Sequence, residues 1–201
     1  TSALPEGYFH DYFYGGWQEI LPSAGWASEP YLGGFQGLHG EVSLLPFEAT
    51  IAEDTPARVS LRTWVRTYRS PLTLERTLSL ESGKAALFIH ETLLNESPGE
   101  FAIMWGHHPV VGQPFLDEHC VVKAPARKVE ALAFHQNSLW EPGGDYDFPM
   151  VPNRRTGKLQ DVTRVLPPEA HSADVLIFKE LSEGWYTLTN EKTGVGIGMA
   201  W

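Results

Sequence analysis

Arg58-Val-Ser-Leu-Arg-Thr-Trp-Val-Arg-Thr-Tyr-Arg69 is the stretch whose pattern decides the fold. Val59, Leu61, Thr63 and Val65 alternate with Ser60, Arg62, Trp64 and Arg66, the two-residue period of a half-buried strand. Ser70-Pro71 ends the run, because proline has no N–H to give a ladder. Residues 72–80 alternate again and stop at Glu81-Ser-Gly83, and residues 85–94 follow at once. Strands separated by turns this short predict an antiparallel meander.

Outward from the meander, strand composition recurs at residues 42–47, 101–105, 119–123, 173–179, 185–189 and 195–201. Residues 126–134 alone have a composition suited to a helix. Trp140-Glu-Pro-Gly-Gly-Asp-Tyr-Asp-Phe-Pro-Met-Val-Pro-Asn153 is dense in Pro and Gly and is expected to be a long loop. The first forty residues, rich in Gly, Pro and aromatics, read as ordered loop or short strand. With no internal repeat or linker, the pattern predicts one all-β domain of packed antiparallel sheets over residues 1–201.

Composition narrows the function. An apolar fraction of 42% is ample for a core, and seven Trp, seven Tyr and ten Phe serve either to fill it or as flat platforms for sugar faces. The net charge of −10 argues against nucleic acid and anionic membranes, which reward clustered Lys and Arg. A neutral or cationic small molecule is the expected ligand. Cys120 alone can form neither an internal disulfide nor a cysteine-built zinc site, which fits a reducing compartment and an expected cytoplasmic location. No apolar run reaches the length of a membrane span, and residues 1–20 lack the pattern of a signal peptide. Both ends look cut: Thr1 is not an initiating methionine, and residues 194–201 run out as a strand with no closing turn.

Histidines carry the candidate chemistry, since imidazole exchanges protons near neutrality. His108 precedes Pro109, which holds its backbone extended. It reads either as a general acid or base in a cleft or as a partly buried ring satisfied by carbonyls. In a strand His107 points to the opposite face, so at most one of the pair should face a given site. His39 lies between Gly37 and Gly40, where missing side chains let a ligand approach the backbone, and Glu41 would share its face in a strand. A metal ion held by His39, His107, His108 and His119 is a further possibility, but neither His-x-His nor His-Glu-x-x-His is present, so no metal is expected. No Gly-x-Ser-x-Gly occurs, and Gly194-Val-Gly-Ile-Gly198 is followed by no helix, which removes the serine-hydrolase and dinucleotide readings.

Six pieces together resemble the galactose mutarotase-like superfamily, the aldose 1-epimerases and their relatives, and occur in that family's order. They are Gly15-Gly-Trp-Gln-Glu-Ile-Leu-Pro-Ser-Ala-Gly25, Gly37-Leu-His-Gly-Glu41, Pro71-Leu-Thr-Leu-Glu-Arg-Thr-Leu-Ser-Leu80, Glu91-Thr-Leu-Leu-Asn-Glu-Ser97, Trp105-Gly-His-His-Pro109 and Glu183-Gly-Trp-Tyr-Thr-Leu-Thr-Asn190. The resemblance implies a β-supersandwich with an open, aromatic-lined sugar cleft and a proton-shuttling reaction without cofactor. It implies that His108 is the acid acting on the ring oxygen and His39 the second histidine, which steadies developing charge. Trp17, Trp105 or Trp26 would stack on the sugar, and Glu41 and His107 complete the candidate binding set. The family's glutamate base lies in a strand beyond the segment resembling residues 194–201, so the resemblance predicts a piece of a longer chain. A sugar-binding module without catalysis and a metal-dependent β-barrel enzyme are the alternatives. Which sugar is used and the oligomeric state are not encoded in any motif.

Overall fold

The computed structural model describes residues 15–25, 31, 34, 36–133 and 136–201. Within them the chain is all-β, as expected, and built of antiparallel sheets of the kind that form β-sandwiches. No α-helix occurs among the described residues, so none there is long and apolar enough to cross a membrane. The chain divides into two compact units, Thr1–Val110 and Val111–Trp201.

The first unit holds β1 (Trp17–Ile20), β2 (Glu48–Asp54), β3 (Arg58–Arg66), β4 (Leu72–Glu81), β5 (Leu87–Asn95) and β6 (Gly106–Pro109). Strands β2 to β5 form a four-stranded meander in chain order. The three runs expected from alternation pair as predicted, with Val65 opposite Leu74 and Leu74 opposite Leu93. Val65, Leu72 and Leu74 bury that end of the sheet under Leu21 and Val42, with Leu45, Phe47 and Phe101 packed around them. A separate ribbon joins β1 to β6, setting Glu19 opposite His107 and Gln18 opposite His108.

The second unit holds β7 (Cys120–Lys123), β8 (Lys128–Leu132), β9 (Gly143–Asp147), β10 (Met150–Pro152), β11 (Leu159–Asp161), β12 (Val175–Lys179), β13 (Trp185–Asn190) and β14 (Val195–Ala200). Its sheets run β14-β13-β7 and β12-β8-β9, with β10 paired to β11. Val129, Ala131, Leu139, Trp140, Val151 and Val162 form its core. The Asp174 carboxylate accepts from the Ser138 hydroxyl and the N–H groups of Leu139 and Trp140, tying down that loop.

Four expectations are corrected. Residues 126–134 are not a helix: Lys128–Leu132 is β8, whose Val129 and Ala131 alternate inward, and Phe134 lies outside the described residues. Residues 140–153 are not one loop, because Gly143 and Gly144 take positive φ and turn the chain into β9 and β10. Val42–Leu44 is a 3₁₀ turn, not a strand, and the true strand begins at Glu48. Residues 101–105 lack ladder bonds, and strand structure starts at Gly106. In the first forty residues Trp17–Ile20 is a short strand; residues 1–14, 26–30, 32–33 and 35 lie outside the described residues.

Gly40 sets the position of the loop carrying His39. Its φ of +74° and a built Cβ only 2.1 Å from the Leu21 carbonyl oxygen exclude any side chain, and the Glu41 N–H donates to that same oxygen at 3.0 Å. Gly40→Ala is therefore expected to destabilise the protein by about 2–4 kcal/mol, because left-handed strain and a backbone clash add. Urea unfolding monitored by tryptophan fluorescence checks this; an unchanged midpoint would contradict it.

Candidate functional site

The pleat of β6 separates the two adjacent histidines. His107 shares a face of the β1–β6 ribbon with Trp17 and Glu19, while His108 lies on the other face with Gln18, by register and alternation. On the first face the ribbon meets β4 and β5. Arg76 Nη2 donates to Glu19, Arg76 Nε donates to Glu91 at 2.7 Å, and His107 Nε2 lies 3.1 Å from the other Glu91 oxygen. The Trp105 indole N–H also donates to Glu19, and the Arg76 guanidinium sits 5.2 Å from the Phe47 ring. Arg76 and Glu91 are direct cross-strand partners, so one row of the sheet presents the whole receiving surface.

Burial and charge set the protonation states here. Burial raises Glu19 above the ordinary carboxylate value, against the lowering effect of the Trp105 N–H and Arg76. Burial also pushes Glu91 up, but the His107 hydrogen bond and Arg76 outweigh it and leave Glu91 low. The hydrogen bond to Glu91 raises His107 above 6.5 despite its burial, and Glu19 adds to the rise. The Trp17 indole N–H, 3.1 Å from His107 Nδ1, needs that nitrogen unprotonated. The two facts describe two states: a neutral ring holding Trp17, and a charged ring whose Nδ1–H turns to Glu19 Oε2, 3.5 Å away.

Glu19, Glu91 and His107 place one ligand atom each within 4.8 Å, a spacing that a metal ion could use. Arg76 spans the two carboxylates and already supplies a cation there, so the donor set fits an ion network better than a metal. His119 belongs to the second unit, where its backbone N–H donates to Asp117.

On the opposite face the structure brings together His39 and His108, with ring centroids 5.0 Å apart. His39 adopts φ +63°, and its Nδ1 lies 2.8 Å from the Ala24 carbonyl oxygen, an anchor that puts the proton on Nδ1 in the neutral ring. Burial lowers the His108 pKa below 6.5.

The remaining candidates are placed differently. Glu41 is buried, and its oxygens accept from the N–H groups of Tyr68, Arg69 and Ser70 and from the Ser70 hydroxyl. It anchors the β3–β4 turn with both oxygens engaged. Trp17 and Trp105 are 44% and 40% exposed, available for stacking, though each gives its N–H to the ion network. Trp26 lies outside the described residues. Glu19, Arg76 and Glu91 are the site residues that alternation alone passed over. Their signal is a charge inside an apolar row: Arg76 between Leu74 and Leu78, and Glu91 between Ile89 and Leu93.

An all-β protein with two imidazoles converging beside a buried ion network is the class this geometry defines. Residues 11–197 match the model of a family described as Domain of unknown function (DUF4432), and the chain belongs to that family. Neither curated proteins nor solved structures give a match.

Two outcomes follow from the network. Arg76→Met leaves the buried Glu19 and the half-buried Glu91 without their cation and is expected to cost about 3–5 kcal/mol, read as a lowered urea midpoint. Because the folded pKa of His107 is raised, its contribution is complete below about pH 6.5 and is lost as pH rises through the folded value. The stability advantage of the parent over His107→Gln should therefore shrink over the range above about pH 6.5. A gap that stays constant across that range would show that the ring carries no linked charge.

Proposed function

We propose that the protein is an aldose 1-epimerase-like enzyme of the galactose mutarotase-like superfamily, interconverting sugar anomers by acid/base ring opening. The observation that carries this reading is the approach of His39 and His108, brought from a glycine-bearing loop and a strand to 5.0 Å. Opening a hemiacetal requires one proton to leave the anomeric hydroxyl and one to reach the ring oxygen as the C1–O bond breaks. Two imidazoles side by side, one neutral and one charged, can do both.

The direction of the His108 shift reverses the assignment that the family resemblance implies. A ring held below 6.5 is largely unprotonated at neutral pH, so His108 suits the base that takes the anomeric proton. His39, anchored through Nδ1 to Ala24, then gives its Nε2 proton to the ring oxygen. Rotation about the C1–C2 bond turns the carbonyl, and the same two transfers run backwards to close the ring on the other face. Trp17 and Trp105 belong to the His107 face of the ribbon and are not placed to stack on a sugar held by His39 and His108.

A second reading, sugar binding without turnover, is favoured by a different hollow of about 480 Å³ in the same unit, lined by Phe47, Trp64, Tyr68, Glu48, Arg66 and Thr73. Aromatic walls with polar edges suit a monosaccharide.

Anomer exchange of freshly dissolved aldohexoses, followed by polarimetry or NMR, tests both. The expected result is catalysis that falls about 10²- to 10⁴-fold in His108→Ala and His39→Ala, with kcat/KM rising with pH through a value below 6.5. Binding that quenches Trp64, with no rate above background for any aldohexose, would instead establish the second reading. A rate that falls as pH rises through a value below 6.5 would restore His108 to the role of acid.

A further inference from the structure

Strand β3 sends Arg58, Arg62, Trp64 and Arg66 to one face of the meander, and the charges there are matched almost one by one. Arg58 pairs with Glu53, Arg62 with Glu75 and Arg66 with Glu96, while Lys84 takes Glu81 from the end of β4. Glu48 is the exception. It lies opposite Trp64 at the start of β2, and among the described residues it has no basic partner. Its side chain forms part of the wall of the hollow of about 480 Å³, together with Phe47, Trp64 and Tyr68.

We infer that this hollow selects a monosaccharide bearing one ammonium group, an amino-deoxy aldohexose, with the cation set against Glu48 and the sugar ring against the aromatic walls. The inference rests on the second reading above, sugar held in that hollow, and adds the charge of the ligand to it. A chain of net charge −10 already draws cations toward its surface. The wall makes that attraction local. Arg66 gives Nε and Nη2 to one Glu96 oxygen at 2.8 and 2.6 Å, and the Thr73 hydroxyl donates to the other. Arg62, 5.8 Å from the Trp64 ring, is likewise matched by Glu75. With both guanidinium charges cancelled by their own carboxylates, Glu48 leaves the hollow with one unmatched negative charge.

Other sugars answer this wall less well. A sugar carrying a carboxylate or phosphate would meet Glu48 with a like charge and find the Arg66 donors already directed at Glu96. A neutral sugar fills the same space but screens Glu48 from water without giving it a partner. An ammonium brings three donors on a compact charge, which suits a single carboxylate at the edge of a pocket. Because Glu48 is exposed, the gain is modest and sensitive to salt: about two- to fivefold in affinity.

Glucosamine, N-acetylglucosamine, glucose and cyclohexylamine are the probes, added to the full chain in low salt at about pH 6, where the amines are protonated. Binding is followed by the indole N–H resonance of Trp64, which Trp64→Phe identifies. Glucosamine is expected to bind about two- to fivefold tighter than glucose and N-acetylglucosamine, and tighter than cyclohexylamine, a cation without hydroxyls. The glucosamine-to-glucose ratio should fall to about one in Glu48→Gln and shrink in about 0.5 M salt. It should persist in Asp54→Asn, which removes a carboxylate from the other face of the same sheet. Glucose that shifts the Trp64 resonance with no preference for glucosamine would overturn the inference and leave the sugar reading standing. A preference that survives Glu48→Gln, that Asp54→Asn abolishes equally, or that cyclohexylamine shares in full would overturn it as well. If no sugar moves the Trp64 resonance, the second reading falls and this inference with it.

Discussion

The ion pair between Glu19 and Arg76 is the constraint from which the first unit's candidate chemistry follows. It joins the β1–β6 ribbon to the four-stranded sheet, with His107 on the ribbon and Glu91 on the sheet closing the network. Once His107 is drawn to that face, the pleat leaves its neighbour no choice. His108 must emerge on the opposite face, and the Gly40 contact with Leu21 brings the loop of His39 to the same strand pair. A local electrostatic contact therefore determines the direction of a side chain that makes none of its bonds.

Such a network is an unusual way to hold two sheets together. Desolvating two carboxylates and a guanidinium costs several kcal/mol per ion, and well-packed apolar residues often do as well or better. Leu74 and Leu78 flank Arg76, and Ile89 and Leu93 flank Glu91, so an apolar row is already in place and the charges interrupt it. What the charges add is orientation: Arg76 can satisfy Glu19 and Glu91 together in only one registry of ribbon and sheet. A leucine at the same position would tolerate sliding. Fixed direction matters most beside residues that handle protons.

The meander was legible because alternation, a Ser-Pro break and a Glu-Ser-Gly turn all agree at residues 58–94. The failures have a common cause. At residues 126–134 the apolar period is short enough to fit a helix or a strand, and the ladders from β12 and β9 decide it. Over residues 140–153 the glycines and prolines that suggested a loop are the turns between strands that local composition cannot pair. For the site, His39 and His108 were found through motif shape, and the structure sets them together. Glu41 came from proximity to His39 in the chain, whereas its carboxylate answers a turn nearly thirty residues away. Glu19, Arg76 and Glu91 were visible only as charges out of pattern.

The consequence of the arrangement is clearest at residues 107 and 108, which share a peptide bond and titrate in opposite directions. Facing two carboxylates, His107 is drawn toward its charged form; facing the His39 side, His108 is desolvated and pushed toward its neutral form. One strand thus presents two imidazoles shifted in opposite directions, and only the one pushed toward neutrality lies against a second histidine. Exchanging the two faces by a one-residue register slip would put His108 into the carboxylate network and carry His107 to His39, reversing both shifts. The ion pair that blocks this slip therefore sets the proton inventory of the site as well as its geometry.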